Sequence, residues 1–283
     1  MNLSQEIQKK IASHWFKYIQ EKIYKEFQMF EIEFARKKNI KPKYFKKNYW
    51  KKKKKGEGGG VYYILENGLV FDKVGINHSI VAGSFPKNFK SSIPGTKKNN
   101  SYWASGISVV AHMKNPNMPS VHFNTRFVLT TKSWFGGGMD VTPSLQDVKE
   151  KKFLHQELKR LCKNNKKNYQ SYKKWCDKYF YINHRNEARG IGGIFFDYLF
   201  DDWKNNFKFV RELGISFLEI SKNIINKKIF LKWTKKQKEN QLIKRGRYVE
   251  FNLMYDRGTK FGLNTGGNLD AIFMSLPPNA KWK

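Results

Sequence analysis

The stretch ASGISVVAHMKNPNMPSVHFNTRFVLTTKSWFGGGMDVTP, residues 104–143, packs histidine, arginine, asparagine, aromatics and glycine more densely than any other part of the chain. Side chains of an extended strand alternate between its two faces. Over 121–129 that rule places His122, Asn124 and Arg126 on one face and Val121, Phe123, Thr125 and Phe127 on the other. An imidazole, an amide and a guanidinium side by side can hold an anion and move a proton. Upstream, Ser108, Val110 and His112 share a face of ISVVAHM, and the intervening KNPNMPS is turn chemistry. Residues 106–131 are therefore expected to form a hairpin-like pair that brings Ser108 and His112 near His122, Asn124 and Arg126. A sheet with one solvated polar face fits the same pattern equally well.

Working outward, FGGGMD at 135–140 reads as a glycine turn carrying an acid, and Thr142-Pro143-Ser144 as a helix start. Two helices are expected over 145–163 and 166–180, with His155 on the first. In 180–199, His184, Arg185, Glu187 and Arg189 precede a glycine cluster and the apolar run IFF, which ends on Asp197. An acid at the end of a buried strand is costly unless paired or functional, and pairing with Arg189 is the plain structural account. Two further helices are expected in 203–244. Residues 247–256 again alternate in polarity, and Gly262, Gly266 and Gly267 mark a tight loop.

Upstream of the central stretch, 61–83 reads as a hairpin around Asn67-Gly68. The segment 84–103 reads as a loop, and KKKKKGEGGG at 51–60 as a flexible loop near a ligand. Residues 3–37 carry Ile7, Ile11, Trp15, Ile19, Ile23, Phe27, Phe30 and Phe34 at helical spacing, an amphipathic helix that packs on a core.

The formal net charge of +32 over 283 residues points first to nucleic acid. But nine arginines stand against 46 lysines, and the lysines are spread over nearly every segment, as A/T-rich codons would produce. A basic nucleic-acid-binding protein is therefore the rival reading, and nucleic acid is not the expected partner. Arginines that survive such drift are informative, because lysine cannot copy the planar fork; Arg126, Arg185, Arg189, Arg245, Arg247 and Arg257 lie in the motif-rich segments. Two cysteines without CxxC spacing fit a reducing compartment. The absence of a membrane-length apolar run or a signal-peptide core points to a cytoplasmic protein.

His112, His122, His155 and His184 are too far apart in sequence to form a short metal motif. No Rossmann, Walker, GxSxG or CxxCH pattern is present, so no flavin, nicotinamide or haem site is expected. Taken together, GISVVAHMKNPNMPSVHFNTRF, WFGGGMDVTP, YKKWCDKYFYINHRNEARGIGGIFFDYL and RGRYVEFNLMYDRGTKFGLNTGGN…IFMSLPP resemble oxygen-dependent coproporphyrinogen III oxidases. The likeness runs in order from about residue 56 to 278, across several long blocks.

The resemblance implies an α+β fold, a large antiparallel sheet flanked by helices on both faces, as a single domain over 1–283. Residues 1–55 would be an N-terminal helix and basic linker, and 248–283 the dimerisation region of a homodimer. It implies conversion of two propionates of coproporphyrinogen III to vinyls with loss of CO₂, with O₂ as co-substrate. By position it makes Ser108, Asn124, Thr125, Arg126, Gly266, Gly267 and Asn268 substrate contacts, and His122 a proton donor. It makes His112, His122, His155 and His184 ligands of a divalent metal. The chemistry of the residues adds Asp197, whose carboxylate can accept pyrrole N–H bonds, and Arg189, a second clamp for propionates beside Arg126. A decayed relative that binds porphyrinogen without turnover is the third reading.

Overall fold

A computed structural model describes residues 4–52, 56–85, 93–97, 99–200, 202–264 and 266–283. The chain opens with helix α1 (Gln5–Lys38). Ser4 Oγ accepts the Ile7 N–H at its start, and Asn39 closes it in the left-handed region at φ 51°. The buried stripe is Phe16, Ile19, Ile23, Phe27 and Phe30, whereas Ile7 and Ile11 stay exposed because the core begins only at Ala12. Polar groups within the stripe tie the helix to the sheet. Gln20 Nε2 donates to the carbonyls of Val61 (2.7 Å) and Ile76 (2.9 Å). Glu31 accepts the backbone N–H groups of Leu69, Val70 and Phe71.

Six strands follow: β1 (Lys46–Lys51), β2 (Gly58–Glu66), β3 (Phe71–Ser84), β4 (Ser101–Met113), β5 (Ser120–Leu129) and β6 (Ser133–Thr142). After them come α2 (Val148–Asn164), α3 (Tyr169–Tyr179), a two-strand ladder of β7 (Tyr181–Ile182) and β8 (Glu187–Ala188), and β9 (Gly192–Leu199). The chain ends in α4 (Trp203–Lys228), α5 (Lys235–Met254), α6 (Arg257–Asn264) and α7 (Leu269–Phe273). The main sheet is antiparallel throughout, in the order β1-β2-β3-β4-β5-β6-β9. The first six strands form a meander, and β9 joins its end after the excursion through α2 and α3. The outer edge, β1, carries Lys46, Lys47 and Lys51, charges that oppose edge-to-edge pairing.

Helices cover both faces. On one, α1 and α4 bury a core in which Phe123 stacks on Phe217 with centroids 5.0 Å apart. On the other lie α5 to α7: Tyr248 meets the edge of His112 at 5.0 Å, and Met274 fills the space over Gly75. This is the expected α+β arrangement. Because Phe123 and Phe127 point into the first core, His122, Asn124 and Arg126 face the C-terminal helices.

Four local expectations are corrected. FGGGMD is part of β6, not a turn: the glycines pair with β5 and β9, and their bare backbone leaves room for side chains crossing above. Residues 247–254 are helical. Tyr248, Phe251 and Asn252 are buried at a spacing of three and four, so the apparent alternation was incidental. Gly58, Gly59 and Gly60 belong to β2 rather than a loop, while Lys53, Lys54 and Lys55 lie outside the described residues. Helix α2 begins at Val148, because Asp147 and not Ser144 caps it: the Asp147 carboxylate accepts the Glu150 N–H at 2.9 Å. Of the loop expected over 84–103, Ser84 belongs to β3 and residues 101–103 to β4, while residues 86–92 and Lys98 lie outside the described residues.

Candidate active site

The register lines up residues across the sheet face that looks toward α5 to α7. One row reads Trp50, Gly60, Ser79, Gly106, Arg126 and Gly136, from β1 to β6. The next reads Asn48, Tyr62, Asn77, Ser108, Asn124, Gly138 and Phe195. A third includes Gly75, Val110, His122 and Asp140. Ser108 thus stands directly opposite Asn124, as the hairpin required. Glycines clear a lane along the first row. At about 4.8 Å per strand the lane is roughly 24 Å long from β1 to β6, with an arginine near one end.

A bulge completes the lane. Phe135 pairs with Leu199 and Gly137 with Phe196, so Gly136 alone faces Asp197 and Tyr198. Tyr198 sits at φ 58°, and its N–H donates to Asp197 Oδ1 at 3.0 Å. The other carboxylate oxygen accepts Arg126 Nη2 at 2.5 Å and lies 3.4 Å from Arg257 Nη2. The Asp197 side chain is 2 % exposed, whereas those of Arg126 and Arg257 are 35 % and 55 % exposed. A buried anion is thus held under two guanidiniums that still see solvent.

One row over, His122 Nδ1 donates to Asp140 Oδ1 at 2.7 Å, and His122 Nε2 accepts Asn124 Nδ2 at 3.1 Å. The second oxygen of Asp140 accepts Arg189 Nη2 at 2.6 Å. Burial alone would raise the Asp140 carboxyl, but Arg189 and His122 outweigh it and hold the pKa below the ordinary range. Asn124 Oδ1 is buried and has no partner among the described residues. A buried acceptor left open beside a histidine is a place for a ligand donor.

At the β1 end, Trp50, Asn77, Ser79, Phe261, Gly267 and Asn268 line a cavity of about 220 Å³. Gly266 takes φ +67°, and Asn268 caps α7 by accepting the Ala271 N–H at 2.9 Å. The loop 266–268 therefore roofs the same face that carries Ser108, Asn124 and Arg126.

A family model described as coproporphyrinogen III oxidase matches residues 11–283. The chain belongs to the coproporphyrinogen III oxidase family. Curated relatives agree over nearly their full length. The oxygen-dependent coproporphyrinogen-III oxidase of Rickettsia akari (strain Hartford) is 48 % identical over 276 residues, 97 % of this chain and 98 % of that protein. Those of Rickettsia bellii (strain RML369-C) and Rickettsia rickettsii (strain Sheila Smith) are 47 % and 48 % identical over the same shares.

The metal that the resemblance to this oxidase family implies does not fit the four histidines. His112 Nε2 donates to the Ser275 carbonyl at 2.9 Å, and its Nδ1 bonds Ser120 Oγ at 3.0 Å. Burial, with Arg245 adding to it, pushes its pKa down to about 3. His155 lies between the Ile191 carbonyl and the Tyr169 hydroxyl. His184 lies between Glu250 and the Tyr255 hydroxyl. His122 is engaged at both nitrogens as described. Each ring is satisfied by different protein groups, and no cluster of three or more His, Cys, Asp or Glu able to hold a metal exists among the described residues.

Two other expectations change, one from the resemblance and one from the chemistry of the residues. Thr125 points away from the cleft, into the core with Phe123 and Phe127, and is 1 % exposed. Arg189 does not pair with Asp197. Its guanidinium is enclosed by Phe180, Tyr248 and Phe251, with ring centroids 4.0, 4.4 and 4.6 Å away, and its acid is Asp140. It cannot clamp a propionate; it holds the acid that holds His122. Asp140 and Arg257 carried no assigned role in the sequence. Asp140 could have been found by extending the strand alternation through the glycines, which puts it opposite His122.

Proposed function

We propose that this chain is an oxygen-dependent coproporphyrinogen III oxidase, which converts two propionates of coproporphyrinogen III to vinyls and yields protoporphyrinogen IX in haem biosynthesis. The observation that carries the reading is the pairing, on one glycine-cleared face, of an anion under two solvent-facing arginines with a histidine backed by a buried acid. Each propionate, –CH₂–CH₂–COO⁻, loses CO₂, one further proton and two electrons as it becomes –CH=CH₂. Two such steps release four electrons, the number that takes one O₂ to two waters. O₂ is the co-substrate, and the electron-rich macrocycle supplies the electrons, so no flavin, nicotinamide or haem is called for.

In this reading Asp197 accepts pyrrole N–H bonds and fixes the ring over the lane. Arg126 and Arg257 turn from Asp197 toward propionates, with bidentate hydrogen bonds. Asn124 Oδ1 takes another N–H donor. His122 Nε2 exchanges a proton at the reacting side chain, and Asp140 stabilises the imidazolium while fixing the ring's orientation. Ser108 and the 266–268 loop bound the substrate on two sides. The reading also takes the protein to be a cytoplasmic homodimer joined through 248–283. In support, no described helix is long and apolar enough to cross a membrane, and Leu253, Met254, Leu263, Leu269 and Trp282 stand exposed in that region.

The test is to mix the protein with coproporphyrinogen III without air, admit O₂, and separate the oxidised products by chromatography, with and without a chelator. Protoporphyrin that forms only after O₂ is the expected outcome, undiminished by chelator because the histidines are otherwise engaged. Tight binding without product would mean a decayed relative. Neither binding nor turnover would return the basic surface, and nucleic acid, to first place.

A further inference from the structure

At the end of the lane opposite Arg126, the cavity of about 220 Å³ holds a buried cation that takes no part in the chemistry at Asp197 or His122. Lys52 follows β1, and its N–H donates to the Gly58 carbonyl at 2.9 Å, so the ladder runs one step past Lys51. Two residues after Trp50 it takes the same face, and both residues line the cavity. The Lys52 side chain is 8 % exposed, and Lys52 is the one charged residue lining this cavity among the described residues. Asn268 brings no charge there, and its Oδ1 is taken by the Ala271 N–H. A buried ammonium needs an anion, and here the anion is held loosely. Glu57 Oε2 lies 3.3 Å from Lys52 Nζ, and the Glu57 side chain is 25 % exposed. A strong charge-assisted bond closes to about 2.7–2.9 Å. Lys52 Nζ also donates to Tyr102 Oη at 3.4 Å, another long contact. Tyr102 is fixed by stacking on Phe85 with centroids 4.3 Å apart.

We infer that Lys52 and Tyr102 hold a carboxylate of the tetrapyrrole at this end of the lane, and that Glu57 is the anion this carboxylate displaces. The inference rests on the oxidase reading. The substrate carries four propionates spread around its rim, and Arg126 and Arg257 stand at one end only. Lys52 extends β1, four strands from Arg126, about 19 Å at 4.8 Å per strand. The exchange mirrors the one over Asp197 with the roles reversed. There the acid is buried and the cations reach solvent; here the cation is buried and the acid reaches solvent. Glu57 can therefore leave into water while Lys52 stays, and the incoming carboxylate keeps the ammonium paired. The Tyr102 hydroxyl can donate as well, so one carboxylate can accept from both.

The experiment compares wild type with Lys52→Met, Lys52→Arg, Glu57→Gln and Lys51→Met, the last removing the same charge from the exposed opposite face of β1. The first readout is binding of coproporphyrin III, the stable oxidised porphyrin, by its fluorescence at about 0.15 M salt, where fields fade within about 8 Å. The second is kcat and KM for vinyl formation. Lys52→Met leaves only Glu57 without its partner, and Glu57 can hydrate, so the fold survives. This variant is expected to bind roughly tenfold more weakly and to raise KM by a similar factor, with kcat within about threefold. Lys52→Arg should return binding to within about threefold of wild type, and Lys51→Met should stay within about twofold. Glu57→Gln should bind about threefold more tightly, because the competing anion is gone; damage to the fold would only weaken binding. Unchanged binding in Lys52→Met, equal weakening in Lys51→Met, or weaker binding in Glu57→Gln overturns the site. Wild-type protein that binds porphyrin through Lys52 yet forms no vinyl product would overturn the oxidase reading and leave the site in place. Vinyl formation with binding indifferent to Lys52 would do the reverse.

Discussion

Placing a single methyl group at Gly136 tests the reactive face directly. A Cβ built there would stand 2.3 Å from Asp197 Oδ1 and 3.0 Å from Arg126 Nη2, where ordinary contact starts at 3.4 Å. The carboxylate cannot rotate away cheaply, because the Tyr198 N–H holds one oxygen and Arg126 the other. In Gly136→Ala it must therefore retreat by about 1 Å, a displacement that costs roughly 100-fold in rate when it misplaces a group at the reacting centre. That corresponds to about 2.7 kcal/mol of lost transition-state stabilisation. The fold should tolerate the change. Gly136 is not in a positive-φ conformation, so alanine suits its backbone, and the smaller entropy of the unfolded chain returns about 0.4–1 kcal/mol.

The assay is kcat/KM for vinyl formation under air, beside a thermal melt of the same preparation. Expected are a rate constant down by about two orders of magnitude and a Tm within about 4 °C of wild type, since about 1 kcal/mol shifts a domain of this size by that much. Activity within about threefold of wild type would refute the placement of Asp197 and Arg126 at the reacting centre. Activity lost together with a collapsed melt would show that Gly136 matters to the fold and not to the site.

Thr125→Val should leave kcat/KM unchanged and hold or raise Tm, because Thr125 Oγ1 is buried without a partner on the face away from the cleft; a loss of activity beyond about tenfold would put Thr125 back among the substrate contacts. Glu31→Ala removes the acceptor of three backbone N–H groups at 2.7, 2.9 and 3.1 Å, the last two of them buried. Burial also pushes the Glu31 pKa up, so its own charge costs something and the loss is smaller than three full orphans. About 3 kcal/mol is expected, a fall in Tm of roughly 6–12 °C by circular dichroism, and a fall under about 2 °C would mean that the turn at 67–71 finds other acceptors.

Much of this architecture was legible in the residues. The strand alternation separated His122, Asn124 and Arg126 from Phe123 and Phe127, and the Asn/Pro-rich linker set the hairpin that faces Ser108 with Asn124. What failed were signals with two physical meanings. Glycine marks turns because it lacks a Cβ, but in β6 the same lack serves clearance beneath Asp197. Alternating polarity marks strands, but Tyr248 and Asn252 are also one helical turn apart. Partner choice was the least legible. Arg189 lies eight residues before Asp197, yet its guanidinium is drawn into the aromatic enclosure of Phe180, Tyr248 and Phe251, contributed by the end of α3 and by α5. No local pattern announces an enclosure built from segments that far apart.

The two acid–arginine pairs on this face divide the labour by their exposure. Arg189 and Asp140 are 1 % and 3 % exposed as side chains, sealed among aromatic rings. Removing either partner would leave a buried charge unpaired at a cost of about 3–5 kcal/mol, so this pair cannot open to admit a ligand. It can only hold His122. Arg126 and Arg257 reach solvent over Asp197, and because that carboxylate is itself buried they can leave it only as other donors take their place. On the proposed reading a propionate takes the arginines while pyrrole N–H groups take the freed Asp197. The same two residue types thus give one pair that is rigid and one that can trade partners, and the difference lies in what surrounds them.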